Sequence, residues 1–230
     1  MEMLTNKKRI SVGVSILTNA RRCDFLIKSV ESFLRGCCYR PLVIAVFDNG
    51  SDDNTFHTCE NFSRENVYGV SWRYERADVD LGCAAGTNRS IGMIDNDIQL
   101  HLESDFRHVD DFDKMWLHRA VEFMETGVCD YLYLRKFRDD AEMSMHWFHQ
   151  WKTKIVEVRG PFLKCDNFWW SNNPSLFRAK ALHDCGTIPL RVDLDGPKNS
   201  PGWSKPELSA PRPTKAWMWG FGEGMFTHEG

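Results

Sequence analysis

Three apolar runs in the first half of the chain each break off into a cluster of polar residues, and this repeat restricts the fold more than any other feature. Residues 10–17 (ISVGVSIL) lead into Thr18 and Asn19, residues 41–47 (PLVIAVF) into the turn Asp48, Asn49, Gly50, Ser51, Asp52, Asp53, and residues 98–102 (IQLHL) into Glu103, Ser104 and Asp105. Apolar runs rich in β-branched residues suit strands covered on both faces, as in a parallel sheet. Between the runs the period changes. Phe25, Leu26, Val30, Phe33 and Leu34 recur at helical spacing and predict a helix over 24–34, with Asp24 as its N-cap. A short helix is predicted over 54–63, and another over 84–94, punctuated by Gly82, Gly86 and Gly92. Strands are predicted at 67–74 and 131–134, and a helix capped by Asp110 or Asp111 runs to Glu125. This order predicts an α/β fold built on a doubly wound, mostly parallel sheet. In such sheets ligands sit beyond the C-terminal strand ends, where the strand order reverses. Thr18, Asp48 and the Glu103/Asp105 pair all fall at such ends.

Composition narrows the function. The 230 residues are 42% hydrophobic and 27% charged, as expected for a folded chain. A net charge of -3 lacks the basic footprint of a nucleic-acid binder. No apolar run reaches the roughly 18 residues of a membrane span. The polar stretch 1–9 lacks the apolar core of a signal peptide, so a cytoplasmic location is expected. The eight cysteines form no C-x-x-C pair and are expected as reduced, packed thiols.

Two carboxylates separated by one residue at a strand's end can share one divalent cation. Glu103 and Asp105 have that spacing. A hard cation such as Mg²⁺ or Mn²⁺ takes oxygen ligands and can also hold a diphosphate. The second half is less regular: a strand is expected near 154–158, a break at Asn172, Asn173 and Pro174, and a proline-rich loop over 189–213. His146 and His149 lack a third ligand and read as structural. Gly82, Gly86 and Gly92 do not have the spacing of a dinucleotide fingerprint.

Almost the whole chain resembles the GT-A fold glycosyltransferases, close to the inverting family-two enzymes. The first strand with Thr18, Arg22 and Leu26 is similar to that family's opening strand and turn, although the turn is one residue longer and leaves Arg21 or Arg22 to face the ligand. Residues 48–53 resemble its D-[DN]-G-S-x-D segment. Leu81-Gly82, Gly86-Thr87-Asn88 and Ile91-Gly92 resemble its glycine-rich helix. Glu103-Ser104-Asp105 stands where the family has D-x-D, with Glu103 in place of the first Asp. Asn173 and the segment to Arg178 resemble an acceptor-lining segment, and Phe226, His228 and Gly230 a late metal-binding histidine.

The resemblance implies one GT-A domain over 1–230, with a nucleotide-sugar half at 1–107 and an acceptor half at 108–230. It implies Asp105 and His228 as ligands of Mn²⁺ or Mg²⁺, the imidazole favouring manganese. Thr18, Arg22, Asp48, Asn88 and Glu103 would meet the donor, a nucleotide diphosphate sugar with UDP favoured. Asp48 would accept a hydrogen bond from the base. Trp169, Trp170 and Asn173 would meet a glycan acceptor, with core packing equally open for the tryptophans, as it is for Trp203. Inversion needs a base. Glu207 is preferred because its segment precedes the terminal histidine as in the family; Glu223 is next, and Asp166, Asp193 and Asp195 are further candidates. Two other classes remain open. A sugar nucleotidyltransferase would need a glycine-rich basic phosphate loop, which residues 16–20 lack, and a non-catalytic sugar-binding module would need neither Asp105 nor Glu207.

Overall fold

The computed structural model describes residues 10–20, 22–65, 67–109, 113–135, 154–166, 174–185, 215–219 and 225–229. Its first half alternates as the sequence predicts: β1 (Val12–Thr18), α1 (Cys23–Gly36), β2 (Leu42–Asp48), α2 (Thr55–Arg64), β3 (Val70–Arg76), α3 (Cys83–Gly92) and β4 (Ile98–Glu103). Then follow β5 (Phe106–His108), α4 (Trp116–Glu125), β6 (Tyr131–Tyr133), β7 (Lys154–Arg159), β8 (Phe162–Asp166), β9 (Ser175–Arg178), α5 (Ala179–Cys185), β10 (Ala216–Trp219) and β11 (Phe226–His228).

Nine strands form one sheet in the order β3-β2-β1-β4-β9-β6-β10-β8-β7. β3, β2, β1 and β4 run parallel. β9 lies antiparallel to both β4 and β6. The chain winds outward from β1 to β2 and β3, then crosses back to place β4 on β1's other side. The order therefore reverses between β1 and β4, and a crevice opens at their C-terminal ends. All seven residues of β1 and all six of β4 are buried, consistent with a sheet covered on both faces. β3, at the sheet edge, alternates between half-buried and exposed positions.

One core cluster joins Val14, Ile16, Ile44, Leu100 and Leu102 of the sheet to Leu26, Val30 and Phe33 of α1 and Trp116, Leu117 and Val121 of α4. The α1 positions repeat every three to four residues, and in α4 Leu117 and Val121 stand four apart beside Trp116, so one face of each helix meets the strands. Cys23, Cys37, Cys38, Cys59, Cys83, Cys129 and Cys165 are free thiols, and burial pushes Cys37, Cys59 and Cys165 up to about 12, which keeps them neutral packing groups.

Two helix starts differ from expectation. Arg22, not Asp24, holds the N-cap position of α1, and no side chain caps it. Asp24 lies one residue inside the helix, where its charge still favours the first turn. At α4 the helix begins later than expected, and Asp113 Oδ1 accepts the Met115 N–H at 2.9 Å. Residues 110–112 lie outside the described residues.

Two short strands have the largest consequence for the site. β5 follows directly on the Glu103-Ser104-Asp105 turn and pairs antiparallel with β11, with Phe106 opposite His228. The Glu229 N–H donates to the Asp105 carbonyl at 2.9 Å. Beneath β11, the Phe226 ring packs edge-on against His108 and Trp116 and stacks with Phe33. Apolar burial and main-chain bonds thus hold the end of the chain against the tip of β4.

Candidate active site

A cleft opens where β1 and β4 end, lined by Leu17, Thr18, Asn19, Arg22, Asn49, Asp80, Cys83, Glu103 and Ser104. Parallel pairing sets the height of these groups: Leu17 lies beside Glu103, and Thr18 beside Asp48. Main-chain bonds tie the turns together, from Ser104 N–H to the Leu17 carbonyl and from Asn49 N–H to the Thr18 carbonyl. Several buried polar atoms in the wall have no hydrogen-bond partner among the described residues, among them Thr18 Oγ1, Asn19 Oδ1 and Ser104 Oγ. Buried donors and acceptors are normally paired, so unmet groups around a cleft are suited to a polar ligand.

Asp105 and His228 meet beside this cleft. His228 Nε2 stands 3.3 Å from Asp105 Oδ2, and Arg22 Nη1 stands 2.5 Å from the same oxygen. Burial tends to raise the Asp105 carboxyl, but the His228 hydrogen bond and the Arg22 charge outweigh it and hold the group below the usual carboxylate range. Its second oxygen, Oδ1, is buried and has no hydrogen-bond partner among the described residues.

A divalent cation fits these two residues. An ionised carboxylate whose Oδ2 faces an imidazole nitrogen supplies one oxygen and one nitrogen donor suited to Mn²⁺ or Mg²⁺. Among the described residues no group of three or more His, Cys, Asp or Glu side chains could enclose an ion. Mg²⁺ held by one or two protein groups usually completes its coordination with substrate phosphates and water.

Asp48 has a different setting. Its carboxylate is fully buried; Oδ1 accepts the Ser51 N–H at 2.9 Å, and Oδ2 accepts the Tyr74 hydroxyl at 3.3 Å with Arg76 Nε 3.6 Å away. Burial and the Asp48 charge raise the Tyr74 hydroxyl, so it stays protonated as a donor. The residue of this turn that faces the cleft is Asn49. Its amide donates to Asp80 Oδ1 at 2.7 Å and accepts the Leu81 N–H at 3.0 Å. Gly50 makes the turn possible: its φ is +77°, and a Cβ there would stand 2.4 Å from the Val79 carbonyl carbon.

Thr18, Arg22 and Glu103 line the cleft, with Asp105 and His228 next to it. Asn88 lies farther along α3, half-buried and not among the lining residues. Asp166 is exposed at the end of β8. Trp169, Trp170, Asn173, Trp203, Glu207, Glu223, Asp193, Asp195, Arg21, His146 and His149 lie outside the described residues. Asn49, Asp80, Cys83 and Ser104 line the cleft without having been singled out. Asn49 and Ser104 stood inside the two acidic turns, and Asp80 and Cys83 flank Gly82, so proximity to those motifs was the available signal.

The family described as Glycosyl transferase family 2 matches residues 15–184. No curated protein matches the sequence significantly. Among solved structures, a mannosyltransferase from Pyrobaculum calidifontis in complex with GDP-Man and Mn²⁺ is similar over 92% of this chain, with 14% identity and a TM-score of 0.60. S. aureus TarS residues 1–349 in complex with UDP-GlcNAc is similar over 95%, with 14% identity and a TM-score of 0.62. The chain spans 57% and 58% of those two chains. At that identity the likeness concerns the fold, which is of the GT-A type, with a mostly parallel sheet flanked by helices. Because the family match takes in well over half the sequence and includes the strands that build the cleft, the chain belongs to glycosyl transferase family 2.

Proposed function

We propose that this chain is a divalent-metal-dependent, inverting glycosyltransferase that moves a sugar from a nucleotide diphosphate sugar, with UDP favoured, to a carbohydrate hydroxyl. The observation that carries this reading is the meeting of Asp105 and His228 at the rim of a polar cleft between β1 and β4. Family membership supports glycosyl transfer, and the solved relatives were captured with GDP-Man and Mn²⁺ or with UDP-GlcNAc.

In this reading residues 1–107 hold the donor and residues 108–230 the acceptor, within one GT-A domain. Thr18, Asn19 and Ser104 offer unmet polar atoms to the nucleotide or sugar. Glu103 offers a carboxylate to the ribose hydroxyls, and Asp48 supports the base-side turn through Ser51 and Tyr74. Asp105 and His228 would hold Mn²⁺ or Mg²⁺, which when bound neutralises charge on a departing diphosphate. Arg22 adds a positive charge at the same rim. In the displacement, the acceptor oxygen forms a bond to the anomeric carbon while the bond to the diphosphate oxygen breaks on the opposite face. The acceptor's proton passes to a carboxylate, for which Glu207 is proposed. Trp169, Trp170 and Asn173 are proposed to contact the acceptor.

The test is nucleotide release from UDP-, GDP- and dTDP-sugars by the purified chain, with a carbohydrate acceptor, Mn²⁺ or EDTA. Asp105→Asn is expected to slow release by at least about a hundredfold, since a Lewis acid contributes several kcal/mol to such a step. An Asp105→Asn variant as fast as wild type, or equal rates with Mn²⁺ and EDTA, would refute the assignment. Nucleotide binding without turnover of any donor would point instead to a sugar-binding module.

A further inference from the structure

We propose that Arg22 competes with the divalent cation for Asp105, so that metal binding depends on the nucleotide diphosphate being present. The proposal rests on the site reading above and adds to it an order of assembly. Three observations carry it. Arg22 Nη1 and His228 Nε2 both face Asp105 Oδ2, at 2.5 Å and 3.3 Å. Cis ligands on a six-coordinate ion with bonds of about 2.1 Å stand roughly 3 Å apart, so the His228–Asp105 spacing suits two ligands of one ion. The guanidinium occupies the oxygen that such an ion needs.

Both cations cannot share that oxygen without repulsion. Asp105 keeps only 6% of its side-chain surface exposed, so water screens the conflict poorly. Arg22 is differently placed: its side chain is 32% exposed and lines the cleft with Thr18, Glu103 and Ser104. Its anchor is the N-cap position of α1, where the main chain is held by Leu26 N–H on the Arg22 carbonyl. Its guanidinium is therefore the mobile partner and Asp105 the fixed one. A diphosphate entering the cleft offers the guanidinium replacement oxygens, which match its planar fork. Asp105 is then free for the metal. Cation and nucleotide consequently raise each other's affinity by the same factor, as binding linkage requires.

The experiment measures Mn²⁺ binding by electron paramagnetic resonance of free Mn²⁺, first without nucleotide and then at saturating UDP, with GDP as a parallel arm. Wild type, Arg22→Gln and Arg22→Lys are compared, with Arg22→Met replacing the Gln variant if that one does not fold. Without nucleotide, Arg22→Gln is expected to bind Mn²⁺ about tenfold more tightly than wild type, and its gain from nucleotide to shrink by the same factor. Arg22→Lys, which keeps the charge, should stay nearer wild type. If Arg22→Gln binds Mn²⁺ alone no more tightly than wild type, while wild type takes up Mn²⁺ with UDP or GDP, the competition is refuted and the metal site stands. If wild type binds no Mn²⁺ even with either nucleotide, the metal site and the competition both fall.

Discussion

His101 lies in the middle of the sheet, two residues before Glu103, and is fully buried. Burial pulls its imidazole from 6.5 down to about 3. Nδ1 lies 3.0 Å from Ser15 Oγ on the neighbouring strand, and Nε2 has no partner among the described residues. The ring is therefore neutral in the folded chain and takes a proton only on unfolding. Because the folded value lies below the unfolded one, the unfolded state binds more protons, and stability falls as the pH drops below about 6.5. With values of 6.5 and about 3, the loss between pH 7 and pH 5 is about 2 kcal/mol. It continues to grow until the pH nears the folded value. His101→Gln keeps a polar group beside Ser15 but does not titrate. Urea unfolding of both proteins at pH 7 and pH 5 isolates the effect, since every other titrating group is common to both. For a slope of about 2–3 kcal/mol/M, the wild-type midpoint should fall by about 0.7–1 M more than the variant's over that interval. Equal losses in the two proteins would refute the claim that His101 is held neutral.

Two glycines give further tests. A Cβ at Gly36 would stand 2.1 Å from His108 Nδ1, and His108 is fully buried among Trp116 and Phe226, so Gly36→Ala should cost about 1–3 kcal/mol. Calorimetry should show the melting temperature falling by about 2–4 °C for each kcal/mol, and an unchanged value would show that His108 yields freely. At Gly86 a Cβ would stand 2.9 Å from Leu17 Cδ1 and 3.2 Å from Asn49 Cγ, both in the cleft wall. Gly86→Ala should weaken UDP binding by about fivefold, the worth of one disturbed hydrogen bond, and titration calorimetry giving wild-type affinity would show that the Asn49 turn tolerates the shift.

The parallel half of the fold was legible because its signals are local. The runs that became β1, β2 and β4 are dominated by apolar, often β-branched residues, and α1 repeats its apolar residues at helical spacing. The family pattern was legible as well, since Asp48, Gly50, Gly86 and Asp105 sit in short motifs. Pairings between distant segments carry no such signal. Nothing in Ser175-Leu176-Phe177-Arg178 announces that it inserts antiparallel between β4 and β6. β5 and β11 are three residues each, too short to display a period. Helix starts misled for a related reason: Asp24 is a good cap by type, but the β1–α1 turn delivers Arg22 to that position.

The proposed metal site depends on the least legible of these pairings. Asp105 and His228 approach each other because β11 pairs with β5 and Glu229 N–H bonds the Asp105 carbonyl, contacts made by backbone and so nearly indifferent to side-chain identity. What the sequence must supply is the apolar weight that presses β11 down, chiefly Phe226, buried completely against Phe33, His108 and Trp116. The proposed site therefore relies on two kinds of residue. Asp105, His228 and Arg22 supply its polar groups, while Phe226 and its neighbours decide whether those groups meet at all. Loss of Phe226 packing would separate His228 from Asp105 although every charged residue remained in the chain.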